Sequence, residues 1–403
     1  MTSSHPLPLT AALCGLLLGM LLVGNGVRAQ STLPQMLCNR PTPISTADSG
    51  RLHIAVDALA FLRDAECFNP TSLGYTAIGS RISPTLQYTF SRHADIEIGL
   101  LTELLAGDQG ISLMRPRATL RCQPFGNDLL QVVMGTLGGS SSHDVPPALL
   151  DPERLFLPTH TFLEEGVQLI THTRHWQSDT WINWEELLMP WTAAQERFTL
   201  GSHHELHLPL GANGKGARWQ LDMPLTFIGS HRGGQISTLD TCIESRFNES
   251  IGLRLNLRST DQSTTASLSA TLFNYHMASG KATAYVPYTS GQALQTTLAI
   301  DYTSVAPNAT SPYRLQGSAS YWYGQHFLSA RGDGHYASQC DYALHPETVL
   351  PTRSILTLNA TAEIAFGECQ LGADITAWHD LLQHSTDVAF GLYLRYCWRK
   401  RLL

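Results

Sequence analysis

Polar side chains able to do chemistry recur at every second position of this chain. His203, Glu205 and His207 are two residues apart and would share one face of a strand, a donor set that suits a metal ion. His204-Glu205-Leu206-His207 is not the helical H-E-x-x-H pattern, and the chain holds 17 histidines. A metal site is therefore the secondary reading of that triplet, and a histidine-rich wall the plainer one. Ser230-His231 are adjacent, so on a strand they point to opposite faces and cannot cooperate. No G-x-S-x-G elbow occurs. On these residues the chain is expected not to be an enzyme and to need no cofactor.

The largest set of alternating polar residues is basic. Arg115, Arg117 and Arg121 alternate with Pro116, Ala118 and Leu120. Arg254 and Arg258 alternate with Leu253, Leu255 and Leu257. Arg174, Arg218, Asp222 and Glu363 occupy like positions in other segments. If one face of each strand meets lipid, these nine residues line a lumen, where charge sets ion selectivity. The arginine clusters favour anions. The competing reading is that they fill the lumen by pairing with one another.

Such residues need strands to hold them. Strict apolar–polar alternation runs through Ile82–Phe90, Arg115–Gln123, Ile251–Arg258, Ser354–Phe366 and Val388–Trp398, and long helical periodicity is absent. About 18 strands are expected, with 16 as the alternative. They include 326–336 and also 280–288, which is added partly because an even strand number asks for it. Connections alternate between short and long, as in a transmembrane barrel with short periplasmic turns and longer outer loops. Trp176, Trp181, Trp184, Tyr275, Tyr321, Trp322, Tyr323, Tyr393, Tyr396 and Trp398 gather near strand ends and are expected to form the interfacial girdles. The fold class is thus all-β: a transmembrane, antiparallel, up-and-down β-barrel.

The apolar run Pro8–Gly24, followed by Val27-Arg28-Ala29, reads as a cleaved signal peptide over 1–29. A periplasmic segment 30–50, a barrel 51–398 and a basic tail 399–403 complete the division. No later apolar stretch is long enough for a spanning helix. Seven scattered cysteines follow the leader without a C-x-x-C motif, and a loop disulfide of Cys38 or Cys67 stays open. Charged residues make up 15%, and the net charge of −7 argues against a nucleic-acid partner.

Trp181-Ile182-Asn183-Trp184-Glu185-Glu186, Gln195-Glu196-Arg197-Phe198-Thr199-Leu200-Gly201 and Ser230-His231-Arg232-Gly233-Gly234-Gln235-Ile236 together resemble a group of outer-membrane, porin-like barrel proteins of the Bacteroidota. The resemblance covers about 160–240 and implies location and fold, with no activity or site residue. The leading expectation is an outer-membrane channel for small polar solutes, whose partners are the bilayer and those solutes. The second is a non-conducting scaffold for a periplasmic or surface protein partner. The third is a barrel-embedded lipid hydrolase. The segment 139–163 is the candidate constriction or plug.

Overall fold

A computed structural model describes residues 44–402 apart from 128, 140–141, 153–162, 191–193, 213–215, 235, 238–242, 305–311 and 340–346. The expected signal peptide, most of the segment 30–50, and Cys38 lie outside the described residues.

Sixteen antiparallel strands close into one barrel in which each strand pairs with its sequence neighbours. The wall begins with β1 (Arg51–Glu66), β2 (Tyr75–Ser91), β3 (Ala94–Leu105) and β4 (Leu113–Cys122). It continues through β5 (Leu130–Thr136), β6 (Glu165–His172), β7 (Trp176–Glu186) and β8 (Glu196–Ala212). Next come β9 (Arg218–Gly233), β10 (Glu244–Arg258), β11 (Thr264–Ser279) and β12 (Ser290–Thr303). The last four are β13 (Tyr313–Gln325), β14 (Thr352–Phe366), β15 (Cys369–Asp380) and β16 (Ser385–Arg401). β16 closes on β1 from His53↔Arg401 to Glu66↔Val388. Arg399–Arg401, expected as a separate tail, are thus part of the wall, because β1 offers them a free edge.

Two expected strands are not strands. The stretches 280–288 and 326–336 belong to connections on the long-loop side, leaving the even count of 16. In the second, Phe327, Leu328 and Tyr336 are buried in the barrel interior, so its apolar residues face the lumen rather than lipid.

The outer face carries an apolar band. Leu86, Ile98, Leu120, Leu200, Ile251, Leu272, Leu298, Leu358, Ile375 and Leu392 all point outward and are exposed. Lipid is the solvent such a band requires, because water would penalise this much contiguous apolar surface. Trp176, Trp184, Tyr323 and Tyr396 are outward at the margins. Trp181, Tyr275, Trp322 and Tyr393, expected in the same girdles, are instead buried inside, each at most 1% exposed. Alternation parity decides this: they sit on the inward positions of their strands.

Trp181, Tyr275 and Trp322 support a plug at the long-loop end. The stretches 142–151 and 326–339 meet there, with Asp151 N–H donating to the Arg331 carbonyl at 2.7 Å and Asp333 N–H to the Pro147 carbonyl at 2.9 Å. Gly332 is required at this contact, since a Cβ there would collide with the Ala148 carbonyl oxygen. Phe273, Trp322, Phe327 and Tyr336 pack into one aromatic cluster beneath it.

Arg353, fully buried, fastens the plug to the wall. It donates to Asp380 at 2.9 Å, to Thr71 Oγ1 at 2.7 Å and to the Ala337 carbonyl at 2.6 Å, tying β14 and β15 to two loops. Arg353→Ala should cost about 3–5 kcal/mol by stranding the Asp380 charge. Removing both charges in Arg353→Met/Asp380→Asn should cost less, as read from urea midpoints of the refolded barrel. Equal losses in the two variants would contradict a charge-pair role.

Candidate functional site

The expected lumen residues fall into three groups. Arg117, Arg121, Asp222, Arg254 and Glu363 point inward and are bonded across strands. Arg117 donates to Ser83 Oγ at 2.5 Å and pairs with Glu97 at 3.2 Å. Arg121 bonds Asp95 at 2.8 Å, and Arg254 pairs with both Glu205 and Asp222. Glu363 accepts from the Tyr393 hydroxyl at 2.5 Å. Arg115 pairs with the exposed Glu165 at 2.6 Å. Arg218 and Arg258 face each other across β9 and β10 at the short-turn end. Arg174 is not in the wall at all. It lies exposed in the turn between β6 and β7, because that hairpin turns at 173–175.

The expected metal triplet is rearranged as well. His203, Glu205 and His207 do share the inner face of β8, but His203 bonds Thr226 Oγ1 at 2.8 Å. Asp222 takes its place beside Glu205 and His207. His207 Nδ1 is 2.7 Å from Asp222, and the Arg254 guanidinium already pairs with both carboxylates. The cluster carries its own cation.

Near the plug, His143 is wedged between two carboxylates, with Nδ1 2.7 Å from Asp179 and Nε2 2.7 Å from Glu164. Its ring stacks on Trp181 at 3.5 Å, and Trp181 in turn occupies the space a Gly201 side chain would need. Burial favours the neutral ring, but the Asp179 and Glu164 charges and hydrogen bonds outweigh it and raise the pKa to about 10.

Outward-facing Ser/His groups are invisible among adjacent residues, because the partners sit on different strands or two residues apart. Three exist among the described residues. Ser202 Oγ lies 2.8 Å from His204 Nε2, beside Trp176 near the short-turn end, and His204 Nδ1 is buried without a partner. Ser245 Oγ lies 2.9 Å from His231 Nδ1 at the long-loop end. Among the described residues no carboxylate bonds the other His231 nitrogen. The third includes an acid. His276 Nδ1 on β11 is 3.3 Å from Glu249 Oε1 on β10, and Asn274 donates to the other Glu249 oxygen at 2.8 Å. Ser290 on β12 is directly opposite His276.

The spacing of that last pair follows from the ladder. Met277 N–H donates to the Thr289 carbonyl at 2.8 Å, so the next pair, His276 and Ser290, is the closely spaced, non-hydrogen-bonded kind. Its Cβ atoms should be about 4.5–5.5 Å apart. Ser290 is exposed, and Ile251, Leu272 and Leu298 continue the same outward rows into the apolar band. Glu249, His276 and Ser290 therefore sit at the upper edge of the lipid-facing band.

The Lipid A 3'-O-deacylase-type family matches the chain over residues 44–403, which is nearly all of it. The chain belongs to this family. Membership corrects the expectation of a non-enzyme, since the family is named for ester hydrolysis. It carries the resemblance to outer-membrane barrels, though not the grouping with the Bacteroidota. No curated protein matches the sequence. Among solved structures, OmpT of Vibrio cholerae with loop L8 deleted is similar at TM-score 0.50 and 12% identity, over 87% of this chain and 100% of that one. The outer-membrane-expressed OmpT of Vibrio cholerae aligns at TM-score 0.48 and 11% identity, over 88% and 100%. At such identities the likeness is one of fold: this protein is an outer-membrane β-barrel.

The His143 contact yields a signed pH prediction. Its folded pKa of about 10 lies above the unfolded value of 6.5, so its contribution is complete below pH 6.5 and is lost as pH rises towards 10. The urea midpoint of the wild type should fall across that window, and His143→Gln should remove most of the fall. Parallel pH profiles for the two proteins would mean that the His143 charge is not what holds the plug.

Proposed function

We propose that this protein is an outer-membrane ester hydrolase that removes an O-linked acyl chain from a lipid A-type glycolipid. The observation that carries the reading is the outward Glu249–His276 contact with Ser290 opposite, at the edge of the apolar band. A glycolipid of the outer leaflet presents its ester linkages at that level, where sugar headgroup meets acyl chain. The choice of reaction rests on the family name, and the choice of residues on the geometry.

In this reading Glu249 holds the His276 ring through Nδ1, leaving Nε2 directed at Ser290. Ser290 Oγ attacks the ester carbonyl as His276 takes its proton. The tetrahedral intermediate collapses, the C–O bond to the sugar breaks, and His276 returns the proton to the sugar oxygen. Water then attacks the acyl-serine by the same proton route and releases the fatty acid. Among the described residues the two other outward Ser/His pairs have no orienting carboxylate, and the Ser202 pair faces the short-turn leaflet.

A porin-like lumen is the weaker reading. Described parts of two long loops fold into the long-loop end, and the inward arginines that motivated anion selectivity are largely bonded to carboxylates, which supports a cross-linking role for them.

The test is deacylation of lipid A-type glycolipid in vesicles by the refolded protein, followed as the mass loss of one acyl chain. Ser290→Ala should lower the rate by about 10⁴-fold or more, and Glu249→Gln by about 10⁴-fold or less. Ser202→Ala and Ser245→Ala should keep the wild-type rate. A Ser290→Ala protein that remains fully active would overturn the assignment.

A further inference from the structure

Beside the plug, on the inner side of the long-loop rim, three groups converge whose presence is unrelated to the lipid-facing site. Cys67 follows the last residue of β1. His335 sits in a 3-10 turn at Gly334–Tyr336, and Asp387 lies on the inner face of β16. Cys67 Sγ is 3.7 Å from His335 Nε2, and Asp387 Oδ2 is 3.4 Å from the same nitrogen. Cys67 is a free thiol, so the loop disulfide left open for it does not form.

Each of the three is aimed by a neighbour. Asp387 Oδ1 accepts from Phe68 N–H at 2.6 Å and Asn69 N–H at 2.8 Å. Its Oδ2 is thereby turned inward, and although Asp387 is only 1% exposed, that oxygen takes no hydrogen bond. His335 Nδ1 lies 2.6 Å from Asp333 Oδ1, which fixes the tautomer with the proton on Nδ1. The Trp378 ring lies parallel to the imidazole at 4.0 Å and 4°, holding its plane. Three lone-pair donors thus face one point, which demands a cation.

We infer that Cys67, His335 and Asp387 form a binding site for a divalent transition-metal ion of the zinc class. The distances suit it. With bonds of about 2.0–2.1 Å to nitrogen and oxygen and about 2.3 Å to sulfur, a tetrahedral ion sets N···S near roughly 3.6 Å and N···O near roughly 3.4 Å. The observed 3.7 and 3.4 Å match these edges. One thiolate, one imidazole and one carboxylate are the donors that zinc takes, and three protein ligands leave a fourth position for water. Asp333 behind His335 is the outer carboxylate that metal-bound histidines commonly use. The ion would join the β1–β2 loop, the plug and β16. The competing occupant is a proton on His335 Nε2, giving an imidazolium between the two aspartates.

The Glu205–His207–Asp222 cluster does not make the same demand, because Arg254 supplies its positive charge.

The test is titration of the refolded, reduced full barrel with Co²⁺, a spectroscopic stand-in for zinc. One equivalent should bind, with a thiolate-to-cobalt charge-transfer band in the near ultraviolet, and Zn²⁺ should displace it. Cys67→Ala should abolish the band, and Asp387→Asn should weaken binding by about 10-fold or more. Cys122→Ala should leave the band unchanged. The heat-dependent gel shift of each variant reports that its barrel has closed. Absence of a saturable band in the wild type would leave His335 to its proton and overturn the proposal. So would a band that persists in Cys67→Ala, or one lost only on Glu205→Gln.

Discussion

Within the hydrocarbon of a membrane every backbone N–H and C=O has to be paired inside the protein, and the rest of this structure follows from that demand. An open sheet would leave two unpaired edges, so the sheet must close, and β16 meets β1 along nearly the full length of both strands. Closure then fixes parity. Once the register is set, each residue of a strand is committed to lipid or to lumen, with no intermediate choice. Around Ile251 the alternation is plain: Ile251 and Leu253 face lipid, whereas Ser250 and Gly252 are buried on the inner side.

The lumen meets a second demand, that charge taken away from water be paired. Arg63 with Asp374, Arg121 with Asp95, and Arg254 with Glu205 and Asp222 join neighbouring or nearby strands through their inner faces. Removing one member of such a pair leaves the other uncompensated, so the pairs hold register more than they add net stability. Towards the long-loop end the interior changes character. There Trp181, Trp322 and Ile355 meet Leu149, Phe327 and Tyr336 from the plug, and the core is apolar.

The two proposed sites therefore lie on different surfaces of the barrel. The lipid-facing groups Glu249, His276 and Ser290 are positioned by cross-strand register alone, with no loop needed to assemble them. The rim cluster of Cys67, His335 and Asp387 depends on loops folding back over the wall, with Asp333 and Trp378 aiming the imidazole. Under the proposed function the first would take a lipid from the bilayer; the second lies at the long-loop rim.

The alternation of apolar and polar residues was enough to establish strands, their two faces and a membrane-spanning barrel, because side-chain direction along a strand has period two whatever the strand pairs with. It placed Arg117, Arg121, Asp222 and Arg254 on the inner face for the same reason. It could not separate a lumen-filling loop from a strand at 326–336, since both bury apolar residues. Grouping the aromatics by their place near strand ends likewise hid the inward parity of Trp181 and Trp322, whose partners lie far away in sequence. The candidate sites were beyond its reach: Glu249, His276 and Ser290 are contributed by three strands, and Cys67, His335 and Asp387 by the two ends of the chain. Strand pairing sets the first group side by side, and only the inward fold of the plug and the position of β16 bring the second group within bonding distance.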